Sequence, residues 1–282
     1  MGRIVDNHTL RNRALVQAAR AVCTEYGAEF ATLSDEWVVR MRKGAITTFV
    51  IGYNLGCNSQ AAARIAVDKV ATFQLLRDAG VPAVPHYLLK TLATPAADKA
   101  LLQRMIYQAG KVVVKPLEGG SGAHIMCCDN VADAITYINA EPVEAWVASP
   151  YVQIAKETRV VVLRGKVCLV YEKSDPHMVN GLPMFNLRHA ARGKGVVAEA
   201  LPTDMRDMAI VAMQAIGLAL GAVDIVTDEV GRKYVLEING AFSLEHYAAS
   251  STENRHQVVA MYVNIFRDIF GREFAAGRNE AR

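Results

Sequence analysis

The sequence predicts an α/β chain of the α+β kind, with a short N-terminal α/β unit followed by two lobes built on antiparallel sheets. Three observations predict it. Apolar residues recur at helical spacing in segments that end on glycine. Strand-like runs are joined by tight turns at Arg164-Gly165 and Val230-Gly231, which pair neighbouring strands antiparallel. The stretch AGVPAVP, from Ala79 to Pro85, breaks the pattern with two prolines and marks a lobe boundary. The expected units are 1–80, 81–150 and 151–282.

In the first unit, Leu10 to Tyr26 reads as a helix with Leu10, Ala14, Ala18, Ala21 and Val22 as its apolar positions and Gly27 as its stop. Glu29 to Leu33 and Ile46 to Ile51 read as strands, and Asp35-Glu36 as a turn or a helix start. Asn58 or Ser59 caps a second helix that runs to Ala79. The second unit holds a strand-like His86 to Leu89, a helix over Ala97 to Gln108 and a strand over Lys111 to Lys115. A glycine-rich loop, Glu118 to Gly122, leads into a strand over His124 to Cys128. A helix over Val131 to Asn139 and an extended Trp146 to Val152 follow, with Trp146 expected in the core. The third unit opens on a hairpin, Thr158 to Leu163 with Lys166 to Glu172. A long polar connection, Ser174 to Gly195, is of the kind tied to function or mobility. A helix over Asp204 to Leu220 precedes strands over Ala222 to Thr227 and Lys233 to Ile238, and Arg255 to Phe270 closes the chain as a helix before a frayed tail.

Composition limits the function. Hydrophobic residues make up 52% of the chain and charged ones 21%, which places it among folded globular proteins. The net charge is only +3, and Lys and Arg are scattered, so no nucleic-acid partner is expected. The five cysteines, Cys23, Cys57, Cys127, Cys128 and Cys168, are odd in number and form no CxxC pair. That points to reduced thiols in a cytoplasmic protein and away from disulfides or a zinc site. The opening MGRIVDNHTLRNRALVQ carries no apolar run of the signal-peptide kind, and no stretch approaches the ~20 apolar residues of a membrane span. His86, His124 and His177 lack ligand spacing and read as structural or surface residues.

Two segments carry chemistry. The first is Lys115-Pro116-Leu117-Glu118-Gly119-Gly120-Ser121-Gly122. Its glycines let backbone N–H groups approach phosphate oxygens, and Lys115 adds a positive charge from the preceding strand. A strand follows instead of a helix, so this is a flap and not a Walker loop. Taken alone it is equally a hairpin loop without a ligand. The second is the hairpin GAVDIVTDEVGRKYVLEING. Glu237 and Asn239 share a face of one strand, and a turn at Val230-Gly231 sets Asp224 across from Glu237. Carboxylates facing one another amid Val223, Ile225, Val235 and Ile238 repel unless a hard cation such as magnesium lies between them. The alternative is a solvated outer sheet face.

These signals in this order resemble the ATP-grasp superfamily, most closely its RimK-like carboxylate–amine ligases. The resemblance runs from Gly52 to Ala249. Besides the flap and the acidic hairpin, it rests on IAVDKVATFQLLRDAGVPAVP, similar to the family's Asp-Lys helix, on ETRVVVLRGKV, similar to its D-x-R strand, and on FNLRHAARG, similar to its Asn-Leu-His-Arg-Gly-Gly stretch. It implies the ATP-grasp fold, in which two lobes clasp ATP between antiparallel sheets. By position it implies that Lys69 and Lys115 contact phosphates, with Gly119, Gly120, Ser121 and Gly122 as the flap. Tyr151 and Val152 would pack on adenine, and Glu157 would face the ribose. Arg159, Lys173 and Asn186 would serve the reacting end, and Asp224, Glu237 and Asn239 would hold magnesium or manganese. Departures are concentrated at the acceptor end. Met184 and Phe185 stand where a basic residue is usual, Arg188 and Arg192 are the nearest cations, and Gly240-Ala241-Phe242-Ser243 replaces a Ser-Pro-Gly turn. Ser149-Pro150 replaces the usual Gln-Glu of the hinge. His189 and His246 fall in cleft-forming segments, with substrate contact and structural roles both open.

The implied activity is amide-bond formation through an acyl phosphate, with release of ADP and phosphate. The implied partners are a small carboxylic acid and an amine, amino acid or peptide, with no membrane and with a homodimer left open. The alternatives are a kinase on the same scaffold and a nucleotide-binding protein without turnover.

Overall fold

The computed structural model describes residues 12–90, 95–120, 122–187 and 191–280, with side chains as far as 272. In chain order the elements run α1 (Ala14–Tyr26), β1 (Glu29–Leu33), β2 (Val38–Lys43), β3 (Ile46–Ile51), α2 (Gln60–Val67), α3 (Lys69–Asp78), β4 (Tyr87–Leu89), α4 (Pro95–Ala109), β5 (Val112–Pro116), β6 (Met126–Cys128), α5 (Val131–Ala140) and β7 (Trp146–Pro150). There follow β8 (Ile154–Leu163), β9 (Lys166–Ser174), β10 (His177–Val179), β11 (Leu182–Met184), β12 (Arg192–Val196), α6 (Thr203–Ile216), β13 (Leu220–Asp228), β14 (Lys233–Asn239), α7 (Glu245–Ala249) and α8 (Thr252–Glu280). No described helix is long and apolar enough to cross a membrane.

The chain divides into two compact units, Met1–Ser59 with Ala241–Arg282, and Gln60–Gly240. The division falls after Ser59 and after Gly240, whereas the boundaries expected from the sequence lie at 80 and 150. The C-terminal helices belong with the N-terminal segment and not with the last sheet. In this first unit α1 packs against α8, with Tyr26 stacked on Phe270 at 5.9 Å between ring centroids. Arg13 precedes α1 and offers no capping side chain. The Glu245 carboxylate accepts the Ala14 N–H instead, at 3.1 Å from each oxygen. Arg13 is 2% exposed, donates to Gly52 O at 2.8 Å, and lies 5.5 Å from the ring centres of both Trp37 and Tyr53. Strands β1, β2 and β3 form an antiparallel sheet in that order. Strand β2 is absent from the sequence reading, although Val39 and Met41 alternate with Arg40 and Arg42 as a half-buried strand requires. Asp35-Glu36 is the turn before it, with Ser34, Asp35 and Glu36 all at positive φ. The start of the expected first helix, at Leu10, lies outside the described residues.

The second unit contains two antiparallel sheets, one of four strands in the order β4-β7-β5-β6 and one of five in the order β12-β9-β8-β13-β14. The four-stranded sheet packs on α4 and α5 through Leu102, Met105, Val112, Val114, Ile138 and a 3%-exposed Trp146, which is core as expected. The single helix expected up to Ala79 is two helices. Asp68 sits between them in extended conformation and accepts the N–H groups of Val70 and Ala71, so it ends α2 and caps α3. The five-stranded sheet buries Val160, Val162, Val170, Val223 and Ile225 with Ala209, Ala212, Met213 and Ile216 of α6. That helix stops at Gly217, in left-handed conformation, so Leu220 belongs to β13 and not to the helix. The described residues of the connection from Ser174 to Gly195 hold more regular structure than its polarity implies. It contains the β10–β11 hairpin, turned by Asn180 at φ 44° and Gly181 at φ 79°, and most of the edge strand β12.

Candidate active site

Strand alternation places polar residues on the sheet face away from α6. Register sets Tyr171, Arg159, Asp224 and Glu237 in one row across β9, β8, β13 and β14, with Lys173 opposite Glu157 beside it. The expected pairing of Asp224 with Glu237 is thus present. A register shift after Asp224 leaves Leu236 without a partner on β13. That extra residue lets both Val235 and Ile238 enter the core while Glu237 and Asn239 keep the polar face.

Asp224 is the centre of this row. Its carboxylate is 1% exposed and accepts Arg159 Nε at 2.8 Å, Arg159 Nη2 at 2.5 Å and Lys173 Nζ at 3.1 Å. Burial alone would raise its pKa, but Arg159 and then Lys173 outweigh burial and hold it well below the usual carboxylate range. Lys173 also donates to Glu157. For Glu157 burial is the larger effect, and it lifts the carboxyl to about 7 against the opposing pull of Lys173. Burial and Arg159 depress the Lys173 ammonium, yet Asp224 and Glu157 leave it above its ordinary value.

Glu237 is less committed. One of its oxygens accepts Asn239 Nδ2 at 3.1 Å. Among the described residues no three His, Cys, Asp or Glu side chains are grouped to hold a metal. The available set is two carboxylates and an amide, all hard oxygen donors, which fits magnesium or manganese completed by waters and phosphate oxygens. Asp224 would contribute through the one lone pair, on Oδ2, that its two cations leave.

The glycine flap connects β5 to β6, which begins at Met126 and not at His124. His124 has φ 51° and its Nδ1 lies 2.6 Å from Glu141. Lys69 Nζ, from the first turn of α3, donates to Leu117 O and Gly119 O at 3.1 Å each, and Arg64 pairs with Glu118 at 2.8 Å. Lys115 leaves β5 half-buried. Burial and then Lys69 push its ammonium down to about 8, with Glu237 pulling the other way. Lys69 is likewise lowered by burial, against Glu237, Glu118 and Asp68. Glu237 therefore favours the charged form of both lysines. On the far side of the flap, Cys127 N–H donates to Asn180 O at 3.1 Å and Asn180 Nδ2 donates to Ile125 O at 2.9 Å. A Cβ added at Gly122, which has φ +74°, would sit 2.5 Å from Met184 Cε. The β10–β11 hairpin thus bonds the segment that leads from the flap into β6, through bonds that the sequence does not announce, although the Asn-Gly pair that turns the hairpin is visible in it.

Tyr151 N–H donates to Lys111 O at 3.1 Å, and Lys111 Nζ lies 5.8 Å from the Tyr151 ring centre. Val152 follows it on the short link to β8. Asn186 O accepts Ala191 N–H at 3.4 Å, in the stretch between β11 and β12. Ser121, Arg188 and His189 lie outside the described residues. His86, expected from its spacing to be structural or at the surface, is buried.

Residues 66–262 match the model of the RimK-like ATP-grasp domain. The chain is 26% identical over 193 residues to a D-alanine–D-alanine ligase of Pseudomonas putida (strain GB-1), an alignment that covers 64% of this chain and 56% of that enzyme. It therefore spans little more than half of that relative's length. Among solved structures it resembles the macrocyclase MdnC bound with precursor peptide MdnA from Microcystis aeruginosa, with a TM-score of 0.56 at 13% identity over 90% of this chain and 97% of that one. It also resembles the D-cycloserine synthetase DcsG, with a TM-score of 0.55 at 19% identity over 71% of this chain and 70% of that one. The fold is that of the ATP-grasp enzymes, and the chain belongs to the family of RimK-like ATP-grasp domains.

Proposed function

We propose that this chain is an ATP-dependent carboxylate–amine ligase that works through an acyl phosphate. The observation that carries the reading is the pairing of Asp224 with Glu237 on neighbouring strands, electrostatically coupled to Lys69 and Lys115 beside a glycine flap. Lys69, Lys115 and the amides of Gly119, Gly120, Ser121 and Gly122 bind the ATP phosphates. Tyr151 and Val152 line the adenine end. Asp224, Glu237 and the Asn239 amide oxygen would hold magnesium, which when bound would neutralise phosphate charge. Arg159 and Lys173 orient Asp224 and supply the positive field in which a substrate carboxylate attacks the γ-phosphate. Asn186 sits near the acyl-phosphate end. The flap excludes water until an amine displaces phosphate and forms the amide.

Relatives named as D-alanine–D-alanine ligase and D-cycloserine synthetase support small amino-acid substrates, and the macrocyclase with its precursor supports a peptide. The test is a coupled ADP-release screen over pairs of amino acids and short peptides. ADP and phosphate released only when acid and amine are both present, with hydroxamate formed when hydroxylamine replaces the amine, is the expected result. AMP and pyrophosphate as products would sink the proposal.

A further inference from the structure

His86 takes part in none of the interactions above. Its ring is 3% exposed, and Nδ1 lies 2.8 Å from Val84 O. A carbonyl only accepts, so Nδ1 carries the proton and Nε2 of the neutral ring is a bare acceptor. Burial first, then Lys115 and Lys69, push the imidazole well below its ordinary value, with only the Val84 bond opposing them. Nε2 meets no donor among the described residues. A buried polar atom of this kind needs an explanation.

His86 is among the residues that line a cavity of about 20 Å³, together with Lys69, Thr72 and Glu237, and with Val84 and Phe73 among its apolar walls. That volume suits one water molecule. Lys69 has three N–H bonds, and two are spent on Leu117 O and Gly119 O. Glu237 has one oxygen engaged by Asn239. The Thr72 hydroxyl donates its one proton to Ile65 O at 2.8 Å, so toward the cavity it can act only as an acceptor. A water that accepts from Lys69 and donates to His86 Nε2 and to the Glu237 carboxylate satisfies all three groups at once.

We propose that His86 is a positioning residue which, through one bound water in this cavity, fixes the Lys69 ammonium of α3 relative to the Glu237 carboxylate of β14. A neutral acceptor suits that place. A carboxylate there would draw Lys69 away from the phosphates, and a cation would repel it. The consequence for nucleotide binding rests on the ligase reading above, whereas the water site itself does not.

Two measurements test this. A high-resolution crystal structure of the nucleotide-free protein should place one water within hydrogen-bond distance of His86 Nε2, Lys69 Nζ and Glu237. A dry cavity, or a water that avoids Nε2, overturns the proposal. The second measurement is ATP affinity by calorimetry with magnesium present. His86→Phe fills the volume without an acceptor and should weaken binding about tenfold, while His86→Gln keeps an acceptor and should stay within about twofold of the original protein. Both variants are first checked for folding by circular dichroism and melting. Equal affinity in all three proteins, or equal loss in both variants, overturns the proposal. An original protein that holds the water but binds no ATP supports the water site and sinks the nucleotide reading.

Discussion

Replacing Asp224 by Asn separates two accounts of that residue. If Asp224 were only a metal ligand, it would face Glu237 as a bare carboxylate when metal is removed, and neutralising it would relieve repulsion and stabilise the fold. The structure gives the opposite sign. Asp224 accepts three charge-assisted bonds from Arg159 and Lys173 while 1% exposed. Removing one partner of a buried ion pair costs about 3–5 kcal/mol. Arg159 is 15% exposed and can turn toward solvent, and Lys173 keeps Glu157, so the cost here falls to about 2–4 kcal/mol. At roughly 2–4 °C per kcal/mol for a domain of this size, the melting temperature should drop by about 5–15 °C. The assay is thermal and urea unfolding in EDTA without nucleotide, so that no bound metal contributes. The pH dependence has a fixed sign. A carboxylate held below its unfolded pKa adds stability above about pH 4, and that stability is lost as pH falls through the folded value. The advantage of the original protein over Asp224→Asn should shrink below that pH. A variant as stable as the original in EDTA, or more stable, refutes the ion-paired account of Asp224.

Lys115, with its ammonium lowered to about 8, should lose charge in the nucleotide-free protein above that pH. Apparent ATP affinity should then fall about tenfold per unit until the pKa of the bound form is reached, with proton uptake on binding; Lys115→Arg should flatten the curve. A pH-independent affinity in the original protein between pH 7 and 9.5, roughly, contradicts the assignment. Glu157, raised to about 7, contributes stability that is complete below its unfolded pKa and is lost as pH rises through 7. Glu157→Gln should remove that slope, and unfolding curves from both proteins with parallel pH dependence would count against it. Asn180→Ala removes the bond to Ile125 O and places alanine at φ 44°, a cost of about 1–3 kcal/mol. Hydrogen exchange at the Cys127 amide should accelerate; unchanged protection there means that the hairpin does not hold the flap.

The acidic hairpin was the most legible part of the sequence. A Gly-containing turn sets the register, and period-two alternation sets the face, so Asp224 and Glu237 could be paired from residue types alone. Neither rule reports what else reaches that face. Arg159 and Lys173 belong to strands paired further across the sheet, and their claim on Asp224 depends on tertiary register. The break at Asp68 was missed because Asp-Lys inside an apolar helical pattern looks like an exposed helix position. Only the extended backbone at Asp68 reveals the cap that puts Lys69 in the first turn of α3. His86 carries no sequence signal, because its role depends on a cavity formed with α3 and β14.

The acceptor end also changes meaning in three dimensions. In the sequence, Met184 is a lost basic residue at a position where the family usually carries charge. In the structure its methyl reaches the place where Gly122 would carry a Cβ, and the hairpin it belongs to bonds both Ile125 and Cys127. An ammonium at that position would be held against Gly122 and would lose hydration. A thioether fills the same irregular gap without that cost. The departure is therefore consistent with the hairpin as a seat for the flap. On the ligase reading proposed above, Arg159 and Lys173 on the sheet are the cations assigned to the acyl-phosphate end. Restoring a basic residue with Met184→Lys should loosen the flap, seen as faster exchange at Cys127, without raising ligation. A gain in ligation with unchanged exchange would return Met184 to the status of a missing catalytic cation.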